Sequence, residues 1–321
     1  MMFNNGTLSV RIARLEDVTP EIRRLTLVSP DGNHLPPFSG GSNIVLVLKN
    51  GEQTIRNAYS LMGSPYDSSS YQIAVRRVED GRGGSRLVHT LREGDALQIS
   101  APVNLFPLDK HARLQLFIAG GVGITPVFSQ LEELRVKDLP FEVHYAVRGP
   151  EHAGLGRELQ KRYGKAVHLY IGGEGETLNI SNVLSNRPLG SHVYVCGPGR
   201  MIDDTVDAAH KLGWTDSHIH YERFVEQGST GEAFSVTLAR AGITVEVSPD
   251  QSMLEALEAA GRHPPYLCRG GACGHCETTV LELDGEIQHR DDWLSDEDKQ
   301  ANKKIMPCVS RACGNRLVVD L

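Results

Sequence analysis

The sequence predicts a multidomain protein: an N-terminal antiparallel β-barrel over 1–108, a central α/β domain with a parallel sheet over 109–224, and a small cysteine-bearing domain over 233–321. Three observations predict it. Short alternating or apolar runs separated by Gly, Pro, Asn and Ser turns fill residues 8 to 107. Continuous apolar runs alternating with amphipathic stretches follow. After a polar, glycine-containing linker at 225–232, the last block carries a cysteine cluster. A chain of 321 residues is also long for one core and suits units of roughly 100 to 150 residues.

In the first block, LSVRIARLEDV, IRRLTLV, NIVLVLK and YQIAVRRV read as strands, and many short strands with turn signals between them suggest a barrel or sandwich. In the second, LQLFIAG, FEVHYAV, AVHLYIG and HVYVCG are buried-strand runs, interleaved with helical stretches such as PVFSQLEELRVK and RMIDDTVDAAHKLG. That alternation indicates a parallel sheet covered by helices on both faces. The linker VEQGSTGE offers little to bury. Beyond it come two strand-like runs, then Ser252 and Glu255 with the spacing of a capping box opening MLEALEAAG, with Gly261 as a stop. RLVVDL closes the chain as a strand.

Hydrophobic residues make up 40% and charged residues 23%, which permits a sizeable core and argues against global disorder. No run approaches the roughly 20 apolar residues that cross a bilayer, and the N-terminus lacks the order of a signal peptide. A cytoplasmic protein with no membrane partner is therefore expected, and its six cysteines point to metal ligation or packing rather than disulfides. A net charge of −7 argues against nucleic acid, which calls for a clustered basic surface. From Glu226 onward there are sixteen acidic and nine basic residues, so the last block carries the whole excess. Such a module could steer docking to a basic partner, or it could be an ordinary solvated face.

The strongest chemical signal is Cys268, Cys273 and Cys276 in CRGGACGHC, with Cys308 after a further 31 residues. A C-x4-C-x2-C run with a distant fourth cysteine is the plant-type 2Fe-2S ligand pattern, and glycines let the backbone wrap closely enough to aim N–H groups at sulfur. A structural zinc site is the alternative, but zinc favours two short cysteine pairs and only one end here is paired. Cys313 lies five residues beyond Cys308, so either could nominally be the fourth ligand.

A second signal is Ala119-Gly120-Gly121-Val122-Gly123-Ile124-Thr125-Pro126, between an apolar strand and a helix. Glycines there allow close approach to a pyrophosphate at a helix N-terminus, although Pro126 stands where the dinucleotide fingerprint has its third glycine. A third is Cys196-Gly197-Pro198 at the end of an apolar strand, which alone reads equally as a buried cysteine before a turn. The fourth combines Arg56-Asn57-Ala58-Tyr59-Ser60 with Ala74-Val75-Arg76 and Gly81-Arg82-Gly83-Gly84-Ser85. An aromatic beside a hydroxyl can flank a flavin ring, and a Gly-Gly-Ser loop can wrap a phosphate.

In this order the motifs resemble the phthalate dioxygenase reductase family over nearly the whole chain. The resemblance implies an FMN-binding barrel, an NAD-binding α/β domain and a C-terminal β-grasp plant-type ferredoxin domain, serving a terminal Rieske oxygenase with electrons from NADH. It implies FMN contacts from Tyr59, Ser60, Ala74, Val75, Arg76, Gly83, Gly84, Ser85 and Thr125, and NAD contacts from Gly120, Gly121, Gly123, Pro126, Arg148, Cys196, Gly197 and Pro198. Cys196 would lie close to the nicotinamide and Phe224 beside the flavin ring. MPCVSRA resembles the ferredoxin segment holding the fourth ligand, which favours Cys308 and leaves Cys313 as a buried small hydrophobe. Asn-Ala-Tyr-Ser-Leu, AGGVGITP and CVSRA are most similar to the reductase components of carnitine monooxygenases within the family, with vanillate and phthalate systems as near relations.

One departure stands out. The family's Arg-x-Tyr-Ser motif has Asn57 in place of its arginine, with Arg56 one residue earlier. One step along a strand turns a side chain to the other face, so Arg56 reaches an FMN phosphate only across a bulge. Asn57, with Gly83, Gly84 and Ser85, is expected to bind it instead, and Ala58 is expected among the cofactor-binding residues. The residues alone leave NADH against NADPH open. They also leave a self-sufficient flavin reductase and a cluster-based redox sensor as alternatives. Trp214 and Trp293 receive no role, and the acidic run from Asp291 to Asp298 reads as a solvated loop.

Overall fold

The computed structural model describes residues 7–51, 53–79, 83–175, 177–224, 231–314 and 316–321, so residues 225–230 of the expected linker, and Gly81 and Arg82 of the glycine loop, lie outside it. The described chain forms two compact units, one within residues 7–224 and one within residues 231–321.

The first unit opens with β1 (Thr7–Asp17), β2 (Ile22–Val28), β3 (Ser42–Asn50), β4 (Gln53–Ser60), β5 (Tyr71–Arg76), α1 (Gly84–Val88), β6 (Ala96–Ser100) and β7 (Val103–Asn104). The strands pair antiparallel in the order β4-β3-β6-β1-β2-β5, with β7 beside β3. Alternation puts Leu8, Val10 and Ile12 of β1 inside with Ile44, Leu46, Ile55 and Ile73, as a one-faced sheet requires. The end strands β4 and β5 form no ladder with each other among the described residues. The barrel is thus near-closed, with a seam between them.

β8 (Leu114–Gly120), α2 (Thr125–Val136), β9 (Phe141–Val147), α3 (Gly154–Tyr163), β10 (Val167–Ile171), α4 (Ile180–Leu184), β11 (Ser191–Cys196), α5 (Gly199–Lys211) and β12 (Ile219–Glu222) follow. All five strands are parallel, ordered β10-β9-β8-β11-β12. The chain starts at the central strand, moves out one way and returns to the other side, so the order reverses between β8 and β11. At such a reversal the helices diverge to opposite faces and leave a crevice beyond the strands' carboxyl ends. Val127 and Leu131 of α2 and Leu155 and Leu159 of α3 cover one face. Val183 of α4 and Ile202 and Ala209 of α5 cover the other. The first face shares its core with barrel residues Ile22, Met62, Ala74, Phe106 and Leu108, which is why barrel and sheet make one unit.

The second unit contains β13 (Phe234–Leu238), β14 (Ile243–Val247), α6 (Met253–Ala259), β15 (Thr278–Leu283), β16 (Glu286–Gln288), α7 (Asp296–Ala301), β17 (Lys304–Ile305), β18 (Arg311–Cys313) and β19 (Arg316–Val319). A mixed sheet, β14-β13-β19-β15-β17, grips α6 in a β-grasp arrangement. The expected capping box is formed: the Ser252 hydroxyl accepts from the Glu255 N–H at 3.2 Å, and the Ser252 N–H donates to the Glu255 carboxylate at 3.0 Å.

Two local expectations change. Gly83-Gly84-Ser85 opens the short helix α1 instead of a loop, with Gly83 at φ 91° as its N-cap, and the Ser85 hydroxyl accepts from the Val78 N–H at 3.1 Å. The acidic run is only partly solvated. Asp291 is buried, accepting from the Ser310 hydroxyl at 3.0 Å and the Leu294 N–H at 2.9 Å, and Ser295 caps α7. A carboxylate that ties two loops together carries no signature in a run of acids. Among the described residues no helix is long and apolar enough to cross a membrane.

Near the amino ends of β11 and β12, His220 stacks on Tyr194 with ring centroids 4.4 Å apart, and its Nε2 lies 2.9 Å from Nδ1 of His192. Burial, with His192 beside it, pushes the His220 imidazole down to about 4. In the unfolded chain a histidine takes up its proton near 6.5, so the unfolded state binds more protons between those values. The contribution is therefore complete above about pH 6.5 and lost as the pH falls toward 4. Thermal denaturation followed from pH 7 to pH 4 should show a falling melting temperature, with a shallower slope in His220→Gln; an equal slope in both would remove His220 as the cause.

Candidate functional site

The reversal point is built by backbone contact. Ala119 of β8 pairs with Cys196 of β11, and the chain beyond β8 enters a 3-10 turn, Gly121–Ile124. A Cβ on Gly123 would lie 2.3 Å from the Cys196 carbonyl oxygen, one on Gly120 would lie 2.7 Å from Pro198 Cδ, and one on Gly197 would lie 3.0 Å from the Gly120 nitrogen. A side chain at Gly123 or Gly120 would collide with its neighbour, and one at Gly197 would be tight. Gly121, at φ 54°, faces open space. The second and third sequence motifs thus meet at the carboxyl ends of two neighbouring strands, where a nucleotide could lie against bare backbone. Thr125 and Pro126 begin α2, and the Thr125 hydroxyl donates to the Val122 carbonyl at 2.9 Å.

Cys196 is buried. Burial, reinforced by the Glu222 carboxylate, raises its thiol well above the ordinary range, so it is a neutral thiol at neutral pH and not a nucleophile. Cys196 pairs with Glu222 of β12, which sets Phe224, two residues further on and exposed, at the same end of the sheet. Arg148 follows the carboxyl end of β9 and pairs with Glu21 of the barrel at 2.9 Å.

The 3-10 turn lies beside β5, and α1 touches both β4 and β5. The barrel seam, the glycine turn and the start of α1 therefore converge. Pairing of β3 with β4 runs without interruption from Asn43 opposite Ser60 to Asn50 opposite Gln53, so no bulge rotates Arg56 toward the face of Tyr59. Asn57 shares that face and donates to the Tyr59 hydroxyl at 3.3 Å. A Cβ on Gly84 would lie 2.4 Å from Asn57 Nδ2, so a larger residue at the start of α1 would displace this amide. The Asn57 Oδ1 and the Ser60 hydroxyl are buried without a hydrogen-bond partner among the described residues. Buried polar groups normally find partners, and these two, one on each side of Tyr59 in β4, fit a ligand with polar ring atoms. Ala58 is exposed, and Ala74 and Val75 of β5 are buried, with Arg76 at the strand's end.

In the second unit Cys268, Cys273 and Cys276 occupy the loop between α6 and β15, and Cys308 the turn between β17 and β18. Cys276 Sγ lies 3.3 Å from Cys308 Sγ, and Cys268 interacts with both Cys273 and Cys308. Contact with Cys273 and then Cys308 pulls the Cys268 thiol down, and contact with Cys268 pushes Cys273 and Cys308 up. Four thiols this close cannot all ionise alone; iron or zinc would neutralise them together. The Gly270 N–H donates to Cys268 Sγ at 3.3 Å. Arg269, Gly271 and Gly274 adopt positive φ of 54°, 76° and 70°, which turns the loop around the sulfurs.

Cys313 is exposed, not a buried hydrophobe, because it ends β18 opposite Glu286 of the two-stranded ribbon. Trp293, given no role above, packs on the loop: a Cβ on Gly274 would lie 2.1 Å from its ring, and its indole N–H donates to Glu277 at 3.3 Å. Trp293 lies nineteen positions beyond Gly274, and no local pattern links them.

Comparison with known proteins agrees with these three regions. Residues 9–107 match the oxidoreductase FAD-binding domain, 100–219 the N-terminal domain of the dimethylamine monooxygenase subunit DmmA-like family, and 236–313 the 2Fe-2S iron-sulfur cluster binding domain. The chain is 45% identical to the carnitine monooxygenase reductase subunit of Acinetobacter baumannii, covering 97% of this chain and 96% of that one. It is 42% identical to the heme-dependent oxidative N-demethylase beta subunit of Ectopseudomonas mendocina, covering 98% and 99%. The structure of a phthalate dioxygenase reductase superposes with a TM-score of 0.87 at 35% identity, covering 99% of this chain and 98% of that one.

Three substitutions test this geometry. Gly123→Ala should cost about 1–3 kcal/mol by overpacking and raise the KM for the nicotinamide nucleotide, as read by denaturant unfolding and steady-state kinetics. Wild-type values in both would mean the backbone contact is dispensable. Cys308→Ser should abolish bound iron while Cys313→Ser retains it, and iron analysis showing the reverse would make Cys313 the fourth ligand.

Proposed function

This chain belongs to the phthalate dioxygenase reductase family, and we propose that it is the electron-transfer subunit of a two-component oxygenase. It takes electrons from NADH through FMN to a 2Fe-2S cluster and delivers them to a terminal Rieske oxygenase whose substrate is carnitine. The observation that carries this reading is the coexistence in one chain of a switch-point crevice, an orphan-lined barrel seam beside it, and a four-thiol loop. Bound there, a flavin supplies the conversion of a two-electron donor into the single electrons that a 2Fe-2S cluster accepts.

The residues bind and orient, and no acid, base or nucleophile is needed. Gly120, Gly121, Gly123, Gly197 and Pro198 seat the pyrophosphate against backbone, at the N-terminus of α2 with Thr125 and Pro126. Cys196, held neutral, keeps the nicotinamide end of the crevice apolar, and Phe224 excludes water there. Arg148 contacts the nucleotide by exchanging Glu21 for a phosphate or ribose oxygen.

Tyr59 and Ser60 of β4 and Ala74, Val75 and Arg76 of β5 line the flavin from the seam, with Gly83, Gly84 and Ser85 toward its phosphate. Asn57 stands where the family's arginine would be. The Tyr59 hydroxyl can donate as readily as it accepts, so the Asn57 amide can turn end for end and present its NH2 at the now orphaned position. FMN rather than FAD is proposed from the family resemblance together with this compact set of polar groups. Cys268, Cys273, Cys276 and Cys308 hold the cluster.

The carnitine assignment rests on the 45% identity to a carnitine monooxygenase reductase subunit. A second reading has a specific basis in the 42% identity to a heme-dependent oxidative N-demethylase beta subunit, and gives the partner a heme centre instead of a Rieske centre.

The test combines the purified chain, NADH and the oxygenase component of a carnitine monooxygenase. Carnitine consumption that requires this chain supports the proposal, and none alongside rapid ferricyanide reduction removes the carnitine assignment while keeping the reductase. Heat-released flavin should elute as FMN in chromatography; FAD would overturn the phosphate-binding role given to Asn57. NADH should outperform NADPH in kcat/KM.

A further inference from the structure

The face of the parallel sheet that α4 and α5 cover over β8 and β11 turns polar over β9 and β10. The parallel register sets His168 of β10 opposite His144 of β9. Strand alternation puts Glu142, two residues before His144, and Tyr170, two after His168, on the same face. The two imidazoles stack with centroids 4.7 Å apart and planes 8° apart. His144 Nε2 lies 2.7 Å from Glu142 Oε1, and His168 Nε2 lies 3.7 Å from the same oxygen. One ligating atom from each of the three residues falls within 4.8 Å of the others.

Zinc binds imidazole nitrogen and carboxylate oxygen at about 2.0–2.2 Å in tetrahedral geometry, which places neighbouring ligand atoms about 3.3 Å apart. The 2.7 and 3.7 Å separations to the Glu142 oxygen bracket that value; because the two imidazoles are stacked and each ligates in its own ring plane, the half-exposed His168 ring turns about its side-chain bonds to aim its nitrogen at the shared ion. The groups around the trio are those that orient metal ligands. The Tyr170 hydroxyl lies 2.9 Å from His144 Nδ1, leaving Nε2 to face the carboxylate. Arg187 donates to Glu142 Oε2 at 2.8 Å and to Oε1 at 3.0 Å, fixing the carboxylate plane. His144 is buried, whereas the His168 side chain is 47% exposed on the edge strand β10, which gives an ion a route in and leaves room for water as a further ligand.

We propose that Glu142, His144 and His168 form a binding site for one divalent transition-metal ion of the zinc class. Two imidazoles and a carboxylate suit zinc, nickel or copper and are a poor match to calcium or magnesium, which prefer all-oxygen sites. Binding loosens the Arg187 contact to Oε1 while the contact to Oε2 persists, so the affinity is moderate and the site exchanges with solution. The trio lies toward the amino ends of the strands, away from the nucleotide crevice, and neither family membership nor the electron-transfer reading supplies it.

The test is equilibrium dialysis of the holoprotein against zinc sulfate, with zinc and iron counted separately by mass spectrometry. A Cys313→Ser background removes the exposed thiol as a competing ligand. One zinc per chain should bind saturably, and His168→Ala and Glu142→Gln should each weaken it at least tenfold, with iron content, flavin content and melting temperature unchanged in His168→Ala. No saturable zinc in the background protein, or equal zinc binding in all three, would overturn the site.

Discussion

The contact on which the molecule most depends is made without side chains: the turn after β8 pressed against the carbonyl of Cys196. Parallel neighbours stand about 4.8 Å apart, so two strands that must also present their ends to a ligand have room for backbone alone. Gly123 and Gly197 meet that condition from opposite strands, and Gly120 extends it to Pro198. Because the strand order reverses here, α2 and α5 start on opposite faces and the crevice lies between them. The shared core of sheet and barrel then brings the seam of β4 and β5 to the same turn. Nucleotide and flavin regions thus become neighbours through packing, with no dedicated linker.

The second unit satisfies its own constraint. Its thiols lie in two segments that three strands and one helix separate in sequence, and buried polar groups hold those segments in place. Arg311 is fully buried and donates to the carbonyls of Gln251, Glu232 and Ser248 at 2.5, 2.9 and 3.0 Å, joining β18 to the unit's first residues and to the approach of α6. Asp291 ties the segment before α7 to Ser310, two residues past Cys308. A buried charge without such partners would be strongly destabilising. The cysteine loop is therefore supported by contacts distant from it in sequence.

What was legible in the sequence follows from this. Strand periodicity, the glycine turn, the capping box at Ser252 and the cysteine spacing are local signals, and each appears in the structure where the residues placed it. The one-residue step that turns Arg56 away is also present: β4 pairs with β3 without a bulge, and Asn57 shares the face of Tyr59. The burial of Asp291, the packing of Trp293 on Gly274 and the exposure of Cys313 are tertiary facts. Each depends on which distant segment covers a residue, and neither composition nor period encodes that. The helical start at Gly84 was missed because a glycine pair reads as a turn, whereas here its missing side chain admits the Asn57 amide.

The central claim is that one chain carries electrons from a nicotinamide nucleotide through a flavin to a cluster held by four cysteines. The most direct measurement is anaerobic titration of the purified protein with NADH, followed together by visible absorbance and electron paramagnetic resonance. Bleaching of the flavin band accompanied by a rhombic reduced-cluster signal, below one NADH per chain, is the predicted result. Flavin bleaching with no paramagnetic cluster signal, or a protein that holds zinc at these cysteines, would contradict it.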